Sequence, residues 1–185
     1  ATGLEYMHTA HVFVTNAGTS ARGLTLAEVT SLYRGDLTTW PDGSPIRLVM
    51  RPPHEFNTKY LRRLSPEMDQ AVQLAMSRTG LPVAVTDQEN LEIITSVAGS
   101  FGSTTLAQIG CEGRQNVKVL QINGVQPTAE AAGNGSYPLL RRSFFVTGPE
   151  PTPATVAFIN FVRSPDGVRI LRGAEDSVAS VTRDR

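Results

Sequence analysis

Two adjacent prolines, Pro52 and Pro53, do more than any other feature to limit what this chain can fold into. Proline has no backbone N–H, so a strand that reaches it must stop. The residues before them alternate: Ile46, Leu48 and Met50 against Arg47, Val49 and Arg51. That period of two predicts a strand with one well-buried face. Asn57 and Thr58 then lead into Lys59 to Leu64, which reads as a short helix. A strand feeding a loop and a helix start is where α/β proteins hold anions, because free first-turn N–H groups converge there. Arg51, at the carboxyl end of the strand, adds a planar fork of donors.

The rest of the chain alternates strands and helices in short pieces. His11 to Thr15 reads as a strand, and Thr25-Leu-Ala-Glu28 as a capping box. The helix it opens carries Leu26, Val29, Leu32 and Tyr33 on one side and stops by Gly35. Ser65-Pro66 opens a helix with the stripe Met68, Ala71, Val72, Ala75 and Met76. Pro82 to Thr86 reads as a strand, and Asp87 as the cap of a helix through Leu91, Ile94 and Val97. Residues 98–105 are small and Gly-rich, suited to close backbone approach. Val117 to Ile122 is a strand ending in the turn Asn123-Gly124, and Leu139 to Thr147 a long strand. The helix from Pro153 is apolar nearly all round, which asks for cover on most sides. A last short helix ends near Gly173, and the polar tail from Ala174 is expected to fray. The class is α/β with a mixed sheet.

The bulk numbers exclude several functions. Seventeen basic residues balance 17 acidic ones, so there is no excess to hold nucleic acid or an anionic membrane. No apolar run approaches the roughly 18 residues of a membrane span, and no signal-peptide core is visible. The chain therefore reads as cytosolic or as processed. Cys111 is the only cysteine, which rules out an intramolecular disulfide and a cysteine metal site.

Catalysis is poorly served. His8 and His11 have zinc-like spacing, but they enter a strand, where their rings point to opposite faces. There is no G-x-S-x-G elbow, so a hydrolase lacks its nucleophile, and no dinucleotide fingerprint. No catalytic residue, metal or cofactor is expected. Binding is better served, at three junctions. Arg51, His54, Asn57 and Thr58 offer donors at the first; Asp87 and Gln88 begin a helix at the second; Ser100, Ser103 and Thr104 lie in a close-backbone loop at the third. Local capping accounts for any one of them alone. Trp40 reads as a structural anchor, and Arg51 has a structural alternative in pairing with a carboxylate.

Four blocks in order then resemble the phosphate-binding proteins of ABC importers. The first runs Leu24-Thr-Leu-Ala-Glu-Val, Leu32-Tyr-Arg-Gly35, Thr39-Trp-Pro-Asp-Gly43, Ile46-Arg-Leu-Val and Arg51. The others are Val97 to Gly102, Val117 to Thr128 with Gly135 to Arg142, and Phe158 to Gly167. The resemblance implies an α/β fold of the type 2 periplasmic-binding-protein kind, a mixed sheet with flanking helices, one lobe complete and the other partial. Residues 16–145 would form the ligand-binding second lobe. Residues 1–15 and 146–185 would be hinge strand and C-terminal helices of an incomplete first lobe, because the opening half-lobe of the family has no counterpart here.

The same resemblance implies an extracytoplasmic solute-binding protein, or a fragment of one, that holds a small phosphate-like oxyanion and meets an ABC-transporter permease in the full-length protein. A binding-protein-like sensor or interaction domain with no transport ligand is the alternative. LysR-type effector domains share the fold, but no helix-turn-helix segment is present. One departure bears on the ligand: the Ser-Gly-Thr that follows the arginine in the family is replaced by His54-Glu55-Phe56-Asn57-Thr58. Arg51 is retained, Asn57 or Thr58 stands for the threonine, and Glu55 would repel an anion.

Overall fold

The structure is a computed structural model that describes residues 2–112 and 116–173. The tail from Ala174 lies outside the described residues. Contacts divide the chain into two compact units: Ala1–His11, Thr105–Gly113 and Thr128–Arg185 form the first, and Val12–Thr104 with Arg114–Pro127 the second. Residues 105–113 and 128–145 group with the first unit. The reason is strand pairing. Strand β1 (Thr2–Asn16) is far longer than the sequence pattern indicates, and its residues Thr2 to Ala10 pair antiparallel with residues 140–147.

In the second unit the end of β1 is a central strand. Helix α1 (Leu26–Arg34) forms as expected: Thr25 and Glu28 complete the capping box, and Gly35 ends the helix in the left-handed region at φ 95°. Strand β2 (Gly23–Leu24) precedes it, and strand β3 is only Arg47–Leu48. Helices α2 (Phe56–Arg62), α3 (Pro66–Ser77) and α4 (Asp87–Ser96) follow, then strand β4 (Ser100–Thr105). Helix α5 (Leu106–Glu112) belongs to the first unit, and strands β5 (Val117–Val119) and β6 (Gln121–Ile122) return to the second. The strand order is β3-β4-β1-β5, with β3 and β4 parallel and β5 antiparallel to β1; β2 and β6 make a separate parallel pair.

The expectation of one buried face over Ile46 to Arg51 is corrected. Leu48, Val49, Met50 and Arg51 are all buried, while Ile46 is only half-buried. A parallel strand covered on both faces shows a run of burial and no alternation. Residues 82–86 contribute an isolated bridge, Met50 to Val83, in place of the expected strand. The core gathers around Phe101: Phe13 stacks on it at 5.4 Å, with Tyr33 and Trp40 at 6.2 Å. Trp40 is the anchor anticipated, since its indole N–H donates to the Gly99 carbonyl at 3.1 Å.

In the first unit, helix α6 (Ala129–Gly133) leads to strand β7 (Leu140–Thr147), which pairs with β1, and then to helix α7 (Pro153–Arg163) and a helical run at 165–173. Tyr137 is buried and donates to the His11 carbonyl at 3.0 Å. Tyr6 stacks on Phe145, and Phe158 meets the same ring edge-on. Among the described residues α7 has none that is buried; Val156, Phe158 and Phe161 are exposed. Among the described residues of this unit, none supplies the cover that its apolar sequence asks for.

Candidate functional site at Arg51

The site builds from the end of the short β3 segment. Arg51 lies three residues beyond β3, and the chain turns through Pro52, Pro53 and His54 into α2. The residue that caps α2 is Glu55, an uncommon choice next to the short side chains usually found there. Its carboxylate accepts from the Asn57 backbone N–H at 2.6 Å and from the Asn57 side-chain amide at 3.2 Å. Arg51 explains why the longer side chain folds back: its Nη2 lies 3.5 Å from Glu55 Oε1.

The Arg51 side chain is 5% exposed and meets a second carboxylate, Asp87, at 2.9 Å through Nη2. Nη1 donates to the Thr86 carbonyl. Only Nε has no hydrogen-bond partner. One guanidinium therefore faces two carboxylates, one partly buried and one half-exposed. The structural alternative for Arg51, pairing with a carboxylate, is realised here.

Thr58 is buried, and its hydroxyl donates to the Arg51 carbonyl at 3.2 Å, so it braces the turn. Behind Arg51 a cavity of about 10 Å³ is bounded by Tyr33, Met50, Thr58, Leu61, Val72 and Ser103. That is at most the room for one water, so no polyatomic anion approaches from the inside. Burial holds the Tyr33 phenol up in spite of a bond with Ser103. An oxyanion would have to enter from the side of Glu55 and Asp87.

Of the other candidates, Asp87 meets Arg51 and Ser103 bounds the cavity behind it. His54 and Gln88 are exposed. Thr86, not Asp87, caps α4, its hydroxyl accepting from Glu89 N–H at 3.1 Å; Asp87 is the first helical residue and turns toward Arg51. Ser100, Ser103 and Thr104 are corrected more sharply. They sit in β4, every residue of which is buried, and not in a ligand loop. Ser100 donates its hydroxyl to the Ile94 carbonyl, and the Ser103 carbonyl accepts from Asn90. The close approach foreseen for the Gly-rich stretch is to the protein itself: a Cβ on Gly99 would meet the Pro45 carbonyl oxygen at 2.3 Å. Glu55 and Asp87 as direct partners of Arg51 were not identified from sequence. A Glu placed four residues after a retained Arg was the available signal.

A larger groove of about 770 Å³ lies in the first unit, among Glu5, Tyr6, His8, Glu130, Leu171 and Arg172. It offers an anion two carboxylates, and Glu5 is already bridged by Arg142. His8 is exposed and His11 buried, on opposite faces as the strand reading requires. No group of three or more metal-ligating side chains occurs among the described residues.

Fold and site define a binding-protein domain, and residues 1–166 match the PBP superfamily domain. The chain belongs to that family, one of binding proteins and not of enzymes. Among solved structures it is similar to a phosphate ABC transporter substrate-binding protein from Clostridium perfringens with bound phosphate, at TM-score 0.74 and 20% identity, covering 97% of this chain and 70% of that one. An ABC-type phosphate transport receptor from Vibrio cholerae matches at TM-score 0.67 and 14% identity, over 94% of this chain and 70% of the other. PstS from Borrelia burgdorferi matches at 0.66 and 18%, with the same two coverages. These likenesses establish the type 2 periplasmic-binding-protein fold. No curated protein matches by sequence. Among the described residues no helix is long and apolar enough to cross a membrane.

Proposed function

We propose that this chain is a solute-binding domain of an ABC importer, acting outside the cytoplasm with a membrane permease as partner, and that its ligand is a small oxyanion held at Arg51 and Asn57. One observation carries the reading. The Arg51 guanidinium and the backbone and side-chain N–H groups of Asn57 converge on a single carboxylate, that of Glu55. A carboxylate and an inorganic oxyanion ask for the same donors: charged N–H and backbone N–H aimed at oxygen. The phosphate-bound relative from Clostridium perfringens supports the ligand class, as do the four sequence blocks.

Titration calorimetry with sodium phosphate and sodium sulfate tests it. Replacing Arg51 by Ala is expected to weaken oxyanion binding by about 1.5–3 kcal/mol, the scale of a hydrogen bond to a charged group. Unchanged affinity would remove Arg51 from the site. A second reading, an interaction domain with no transport ligand, is favoured by the Arg51–Asp87 pair, which together with the Thr86 carbonyl engages both terminal nitrogens of the guanidinium without any ligand. Absence of heat with every oxyanion tried would select it.

A further inference from the structure

We infer that Glu55 is an internal ligand of the Arg51 site: its carboxylate stands where an external oxyanion would bind and must leave before one can. The inference rests on the oxyanion reading of Arg51 and deepens it by naming the residue that sets selectivity.

Three observations support it. Both Glu55 oxygens are engaged, Oε2 by the Asn57 backbone N–H at 2.6 Å, Oε1 by the Asn57 amide at 3.2 Å and by Arg51 Nη2 at 3.5 Å. This is the donor set of an anion site, with the anion tethered by the chain. Second, the Arg51 side chain is 95% buried and still has an unpartnered Nε–H, so the guanidinium keeps donor capacity that its two carboxylates do not use. Its contact with Glu55 is the longer of its two carboxylate contacts, 3.5 Å against 2.9 Å to Asp87, so Glu55 is the partner more readily exchanged for another acceptor. Third, Glu55 is not sealed in. Its side chain retains 19% exposure, and a change of rotamer could carry the carboxylate to solvent.

The electrostatics set the direction of the effect. One guanidinium already faces two carboxylates, Glu55 and Asp87. A phosphate arriving with Glu55 in place would bring a third negative group to a single positive one. Repulsion between like charges at close range in a partly buried site is costly. Binding therefore requires Glu55 to swing out, and the more highly charged the anion, the stronger that requirement.

The test compares the intact chain with Glu55→Ala and Glu55→Gln by thermal shift and calorimetry, using sodium phosphate and sodium acetate. Glu55→Ala is expected to melt lower than the parent and to be raised again by acetate, which is small enough to fill the gap; the parent should not respond to acetate. Both variants are expected to bind phosphate at least tenfold more tightly than the parent. Glu55→Gln keeps an oxygen for the helix cap, so it reads the charge effect even if Glu55→Ala does not fold. Equal phosphate affinity in parent and variants would overturn the internal ligand and leave the oxyanion reading standing. Rescue by acetate without any phosphate binding would uphold the internal ligand and overturn phosphate as the solute. No response of either variant to either anion would overturn both.

Discussion

Arg51 Nη2 and Asp87 Oδ1 stand 2.9 Å apart, joining the end of the β3 segment to the first turn of α4 between residues 36 positions apart in the chain. The pair is asymmetric: the guanidinium is buried and the carboxylate 44% exposed. Removing Arg51 also forfeits its contacts with the Thr86 carbonyl and Glu55, so it should cost more than removing Asp87 alone. Arg51→Met is expected to lower the unfolding free energy by about 2–3 kcal/mol, below the usual range for a fully buried pair because Asp87 can turn to water. Asp87→Asn should cost about 1 kcal/mol or less. Urea unfolding of both variants checks the order, and equal losses would show that Arg51 is not held by this pair.

Gly99 has φ 72°, and a Cβ there would fall 2.3 Å from the Pro45 carbonyl oxygen. Both the left-handed backbone and the close approach require glycine. Gly99→Ala is expected to destabilise the second unit by about 3 kcal/mol, combining backbone strain with a displaced strand entry. Its carbonyl also receives the Trp40 indole N–H and the Arg47 backbone N–H, so Trp40 fluorescence should change with it. A variant that keeps both the emission and the unfolding midpoint of the parent contradicts this.

His11 is fully buried, and desolvation, helped by the charge of Arg141, holds its imidazole down at about 3. In the unfolded chain it titrates near about 6.5. Between those values the unfolded state carries a proton that the folded state does not, so stability falls as pH drops from about 6.5 toward 3. The expected slope is about 1.4 kcal/mol per pH unit for one proton. Above pH 6.5 this group contributes no pH dependence. His11→Phe should flatten the profile in that window whatever its absolute stability. Parallel profiles for parent and variant would dismiss the assignment. The carboxylates of Asp69 and Glu67, held below their usual range by hydrogen bonds, act in both proteins and drop out of the comparison.

Phe161 lies on α7 and is 51% exposed. A half-exposed ring contributes far less than a buried one, whose loss typically costs about 3–5 kcal/mol. Phe161→Ser is expected to change the unfolding free energy by under about 1 kcal/mol and to reduce self-association, read by light scattering. A loss on the scale of a buried phenylalanine would mean that another surface covers α7.

Much of the local structure was legible because it depends on neighbours in sequence. Thr25 with Glu28, Ser65 with Pro66, and the left-handed Gly35 mark helix ends through bonds spanning three or four residues. Asn123 and Gly124 both take positive φ, as their turn chemistry predicts. Trp40 was recognisable as an anchor, and the ordered blocks from Leu24 to Gly167 pointed to the family. Less was legible where long-range pairing decides. β1 extends to Thr2 because β7 pairs with it, and nothing in residues 2–10 alone announces that partner.

The sequence by itself determined where many elements begin and end, that Arg51 sits just before two prolines, and which family of folds the chain resembles. Tertiary structure decided that Arg51 faces Asp87 as well as its neighbour Glu55. Asp87 reaches it because α4 starts beside the end of β3, and Glu55 because its role as helix cap turns the carboxylate inward. It also placed Ser100, Ser103 and Thr104 inside the buried strand β4. The physical reason is one of range. Caps, turns and strand stops are settled by bonds within a few residues, whereas burial and ion pairing depend on which distant segments pack together.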